Sequence, residues 1–173
     1  MKDVTIATTL QALAAFPSQL EAHYATVPAG FARWTPPSWE GIPSERFTPL
    51  EQVLHVRDIE VDGYHVRFRR TLHEQRPLLV DIDSYALAAE RGYAGDDDVQ
   101  AALVEFRVAR AHTVELLAQL HAGDFARTAE FEGYGPVTLR GLMHYLCSHD
   151  QQHLAGLQWL LGRIEASRAA PAS

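Results

Sequence analysis

Among its 173 residues the sequence holds one cysteine, Cys147, and one lysine, Lys2. A single cysteine rules out an internal disulfide and a four-cysteine zinc site, so any metal has to be held by histidine and carboxylate. With lysine nearly absent, fourteen arginines supply the remaining positive charge, and the net charge is −7. That balance argues against a nucleic-acid partner, because affinity for a phosphate backbone grows from clustered Lys and Arg. One local group, Arg67, Arg69 and Arg70, reads as a solvated helix face, with contact to an anion as the alternative. No apolar run approaches the ~20 residues needed to span a bilayer, so no membrane partner is expected. The opening stretch MKDVTIATTLQALAAF lacks the basic start and the unbroken apolar run of a signal peptide, which makes a cytoplasmic location the expectation.

The apolar fraction of 47% and the charged fraction of 21% are ordinary for a folded globular chain, and no shift in composition divides it. A single domain is expected over residues 1–167, followed by a disordered tail at 168–173. Four segments have helical length and periodicity, and most prolines and glycines fall between them. The first runs from about Thr5 to Val27 and should kink or restart at Pro17. The second begins with Thr48 as cap, Pro49 in the first turn and Glu51 three residues after the cap, and continues to about His73 or Glu74. Its apolar stripe is Leu50, Leu54, Val61, Tyr64, Phe68 and Leu72, flanked by a polar sector of His55, Asp58, Asp62, His65 and Arg69. The third runs from about Asp96 to His121, its inward series Val99, Leu103, Phe106, Arg110, Val114 and Leu117 placing a charge in an apolar stripe. The fourth is capped by Thr138 and ends near Glu165.

The intervening stretches are a Trp- and Pro-rich loop at 28–47, an irregular segment with a short helix near Ser84 to Arg91, and a segment from Ala126 to Val137 that includes a turn. Together these features predict an all-α four-helix bundle with long crossover connections rather than tight up-and-down turns.

The clearest chemical signal is His149-Asp150-Gln151-Gln152-His153 in the fourth helix. Residues four apart share a helical face and can present two imidazoles to one ion. Leu142, Tyr145, Leu146, Leu157 and Leu160 share that sector, which is expected to turn both rings into the bundle. Two core histidines without an ion are the alternative. Gly156 in the same sector is expected to let a neighbouring helix approach closely just below the pair. A third ligand has to come from another helix, and His55 is the natural candidate. Three imidazoles then leave coordination positions open to water or substrate. Asp58, one turn after His55, is a candidate base or orienting group, and Asp150 a candidate partner for an imidazole. Arg110 is a candidate contact for a substrate carboxylate, with a structural pair to Asp58 or Asp62 as the alternative. Cys147 lies about 140° around the helix from the histidine face and is expected to be a small buried hydrophobe.

RFTPLEQVLHVRDIEVDGYHVRF, followed about 90 residues later by VTLRGLMHYLCSHDQQHLAGLQWLL, resembles the DinB-like superfamily of bacterial four-helix proteins. The likeness extends to the Trp- and Pro-rich loop and to VDIDSYALAAERGY. It implies a metal triad of His55, His149 and His153 and one divalent ion, zinc or nickel by preference, with iron or manganese as alternatives. It also implies, as the leading activity, a transferase or isomerase that activates a low-molecular-weight thiol such as mycothiol, bacillithiol or glutathione. A metal-dependent hydrolase is the alternative, or a non-catalytic metal- or ligand-binding protein connected with stress. A small-molecule substrate and a homodimer follow from the same resemblance.

Overall fold

The computed structural model describes residues 4–95 and 98–169. The bundle consists of four rods. α1 (Val4–Tyr24) is the first; α2 (Pro49–Asp58), a π-helical stretch (Ile59–Tyr64) and α3 (His65–His73) run on as the second. α5 (Val99–Gln119) is the third and α6 (Leu139–Ala169) the fourth, with the short α4 (Ser84–Glu90) in the connection before α5. Asp96 and Asp97, the expected acidic lead into the third rod, lie outside the described residues, and Asp98 caps that helix by accepting from the Ala101 amide. α6 continues to Ala169, past the expected end near Glu165.

Local chemistry explains where the rods begin. Thr48 accepts from the Glu51 amide while the Glu51 carboxylate accepts from the Thr48 amide at 2.9 Å, a complete capping box ahead of Pro49. Thr138 accepts from the Gly141 amide at the start of α6. Pro17 does not end α1, which continues through it with the ring buried.

α1 and α2 each pack on both α5 and α6. The first and second rods therefore stand diagonally, as do the third and fourth, whereas α2 and α5 are neighbours. The interior comprises two apolar clusters. One gathers Leu13, Phe68, Leu117 and Leu142, and the other Phe16, Leu54, Phe106 and Leu157. The order in which each rod meets them sets its direction: α1 and α6 run one way, α2–α3 and α5 the other. The segment from α3 to α5 must therefore return along the length of the bundle, which is the crossover the connection lengths predicted.

One expectation is extended and another corrected. The turn expected between Ala126 and Val137 is present and joins β2 (Thr128–Phe131) and β3 (Gly135–Thr138) in a hairpin, and β1 (Leu78–Leu79) pairs parallel with β2 to make a three-stranded sheet that the sequence did not announce. Gly133 and Gly135, at φ of 81° and 79°, supply the left-handed backbone of its turn. Val61, expected in the apolar stripe, is 43% exposed. The wider π turn shifts the helical phase, which brings Glu60 inward and carries Val61 out.

Candidate metal centre

Between the two apolar clusters lies a polar layer whose centre is Arg110 of α5, which is 1% exposed. Its five N–H groups are all placed. Nε and Nη2 donate to the two Glu60 oxygens at 3.0 and 2.8 Å, Nη1 and Nη2 to the two Asp150 oxygens at 2.7 and 2.8 Å, and Nη1 also to the Leu13 carbonyl at 3.1 Å. Burial works against the guanidinium charge, but attraction to Glu60 and Asp150 outweighs it and holds the pKa above the ordinary arginine value. One side chain thus ties all four rods together.

This arrangement corrects three expectations. Arg110 pairs with Glu60 and Asp150 rather than with Asp58 or Asp62, and with every donor engaged it has none left for a substrate. Asp150 holds Arg110 rather than an imidazole. Asp58 accepts from Tyr93 Oη and Arg57 Nε, both at 2.8 Å, and lines a surface cleft with Asp62 and Arg91 instead of the cavity beside the histidines.

The adjoining half of the polar layer brings His55, His149 and His153 together. One ring nitrogen from each lies within 4.8 Å of the others, and the Nε2 atoms of His55 and His149 are 3.3 Å apart. Two ligands on a tetrahedral ion with bonds of about 2.0–2.1 Å stand roughly 3.3 Å apart, so the spacing suits a single ion. Burial is the main influence on all three rings and favours the neutral form. It pushes the His55 pKa down to about 4 against the opposing pull of Glu45 and Asp58, and those of His149 and His153 well below the usual value. Neutral imidazole is the form that ligates.

The orientation of His153 follows from a chain of hydrogen bonds. Gln52 is fully buried on α2, and its Nε2 donates to the Phe47 carbonyl and to Ser44 Oγ. A carbonyl accepts only, which fixes the Gln52 amide with its oxygen toward His153 Nδ1 at 2.6 Å. His153 therefore carries its proton on Nδ1 and presents a bare lone pair at Nε2. That buried atom has no hydrogen-bond partner, and it faces Glu45 Oε2, likewise buried and without one, across 3.3 Å. Two lone-pair atoms facing each other away from water repel unless a cation or a proton lies between them. The donor set fits a divalent ion.

Gly156 is part of the same construction. A Cβ there would stand 2.2 Å from Ser44 Oγ and 3.1 Å from Gln52 Nε2, so the glycine admits the loop that carries Ser44 and Glu45. A cavity of about 360 Å³ opens beside the histidines, with Glu45, His55 and His149 in its wall. Cys147 is half-buried against the apolar cluster of Leu142 and Leu146, and burial raises its thiol pKa, as suits a packing residue and not a nucleophile.

A family model for the DinB superfamily matches residues 9–157. The chain belongs to the DinB superfamily. Among solved structures it is similar to YfiT from Bacillus subtilis, with 20% identity and a TM-score of 0.80 over 95% of this chain and 90% of that one. YfiT is described as a probable metal-dependent hydrolase with an unusual four-helix bundle topology. No curated protein matches. At that identity the likeness establishes the DinB-type bundle and nothing about the reaction. No helix among the described residues is long and apolar enough to cross a membrane.

Two site residues in this DinB bundle escaped the sequence reading. Gln52 stands one turn before His55 and so was within reach of a helical-face argument. Glu45 lies in an irregular loop, where no periodicity marks which way a side chain turns.

Proposed function

We propose that this protein is a metal-dependent hydrolase in which His55, His149 and His153 hold one divalent ion and Glu45 acts as the base. The observation that carries the proposal is the pair of buried, unpartnered atoms, His153 Nε2 and Glu45 Oε2, facing each other at 3.3 Å beside an open cavity. When bound, the ion supplies Lewis acidity, lowering the pKa of a nucleophile and drawing negative charge onto itself as the substrate is attacked. Three imidazoles suit zinc or nickel.

The side chains provide the rest. Gln52 keeps the proton of His153 on Nδ1, leaving Nε2 free to ligate. Ser84 Oγ donates to Glu45 Oε1 at 2.8 Å and so steadies the carboxylate with Oε2 turned toward the histidines. Oε2 accepts the proton that a water nucleophile gives up and returns it to the leaving group. The loop bearing Glu45 is held against α2 by a bond from the Leu50 amide to the Ala32 carbonyl and by the Ser44–Gln52 contact beside Gly156.

The base is also what favours water over a thiol as nucleophile. A thiol bound to a cation ionises outright near neutral pH, whereas water starts from a pKa of about 15.7 and profits from a carboxylate beside it. The description of YfiT as a probable metal-dependent hydrolase supports the same choice. Thiol S-transfer, which the family resemblance implies, is the competing reaction. To decide between them, zinc- or nickel-loaded protein is assayed against a panel of carboxylic and phosphate esters and amides, with and without glutathione. Turnover of at least one substrate without thiol is expected, falling about 100-fold on chelation and returning with the ion. Turnover that appears only with thiol would establish S-transfer instead.

A further inference from the structure

The bundle buries a second arginine whose situation is the opposite of that of Arg110. Arg67 on α3 is 5% exposed, yet its Nε is buried without a hydrogen-bond partner. Its nearest acid is Asp81, whose Oδ1 lies 3.7 Å from Nη2, too long for a hydrogen bond, and whose side chain is mostly exposed. Burial dominates its environment and lowers the guanidinium pKa from the ordinary value, only partly opposed by Tyr64 and Asp81. The expectation of a solvated Arg67-Arg69-Arg70 face is thereby corrected. Arg69 is exposed and Arg70 pairs with Glu74, but Arg67 points inward.

A buried cation whose one ion pair is long and reaches a mostly exposed carboxylate is costly unless something else occupies the position. The surroundings look prepared for an occupant. The guanidinium carbon sits 4.9 Å from the Tyr64 ring centroid and 4.5 Å from that of Phe131, gripped between two aromatic faces. A Cβ at Gly63 would meet Arg67 Nη1 at 3.2 Å, so the glycine leaves room for the head group. Arg67 lines the same cavity as Glu45, His55 and His149, and among the described residues it is the one Lys or Arg side chain to do so. The wall continues into Tyr134, stacked on Phe131 at 4.5 Å and 11°. Tyr64 touches both ends of the space, its ring centroid 6.4 Å from that of His149.

We propose that the Arg67 end of the cavity binds the carboxylate of a small organic acid, whose apolar or aromatic body lies along Tyr64, Phe131 and Tyr134 and reaches toward the histidines. This deepens the hydrolase reading by naming the substrate class. A monoanion is favoured over a phosphate dianion because Glu45 and Asp81 share the cavity and one arginine faces both. The planar fork of a guanidinium matches a carboxylate, which a lysine in that position would not reproduce.

The test uses metal-free protein, so that a carboxylate has no ion to bind and the result does not depend on the hydrolase reading. Benzoate, benzamide and acetate are titrated and followed by NMR chemical shifts. Benzoate is expected to bind at least tenfold more tightly than either benzamide, which has the ring without the charge, or acetate, which has the charge without the ring. Arg67→Met is expected to erase the preference for benzoate over benzamide, and Arg67→Lys to restore only part of it. Equal binding of benzoate and benzamide by the parent protein overturns the proposal whether or not the variants fold. So does a preference that survives in Arg67→Met. Failure of the hydrolase reading would show separately, in metal content and turnover.

Discussion

Arg110→Ala is expected to lower the stability of the domain by about 3–5 kcal/mol, enough to unfold a protein of ordinary stability. The size of the effect comes from what stays behind. Glu60 and Asp150 are both about 1% exposed, and removing the guanidinium leaves two carboxylates facing each other in the middle of the bundle. The Leu13 carbonyl would lose its bond from Nη1 as well. Arg110→Lys should recover only part of the loss, because an ammonium cannot serve two carboxylates with paired, coplanar bonds. Replacing Arg110, Glu60 and Asp150 together by apolar residues of similar volume is expected to recover most of it, since a buried ion triad owes little of its net stability to its own charges. Urea unfolding of the three variants checks the order. A change below about 1 kcal/mol in Arg110→Ala would mean that the polar layer does not hold the four rods together.

Glu45→Gln is expected to retain the ion and reduce turnover by about 100- to 10,000-fold, the range for losing a positioned base. The amide has the size of the carboxylate and keeps an oxygen able to accept from Ser84 Oγ, so the loop should stay in place. What is lost is a proton acceptor at Oε2. Metal analysis and the hydrolytic assay on the same preparation separate the possibilities. Loss of the ion along with activity would make Glu45 a ligand, and full activity would remove it from the reaction.

The rods were legible in the sequence where local chemistry marks them. Thr48, Pro49 and Glu51 specify a helix start that the structure reproduces atom by atom. The spacing of His149 and His153 places both rings on one face of α6, and the stripe around them shows that the face is inward. The partners of Arg110 were not legible. Extrapolating α-helical phase past His55 points to Asp58 and Asp62, but the wider π turn at Ile59–Tyr64 makes the phase lag, and Glu60 is the residue that meets Arg110. Nothing in the residue types announces that turn. The small sheet was hidden for a related reason: strands of two to four residues are too short to display alternation. Arg67 looked like its neighbours Arg69 and Arg70 because periodicity cannot show that Phe131, from a hairpin more than sixty residues away, closes over it.

The central claim is that a divalent ion belongs on the three imidazoles. It is tested most directly by elemental analysis of protein purified without a histidine tag, alongside His149→Ala prepared identically. The account predicts about one ion per chain in the parent, taken up again after chelation when zinc or nickel is supplied, and essentially none in the variant. A folded parent that takes up no ion under those conditions would contradict it, and would make the histidines core residues of a bundle that binds without metal.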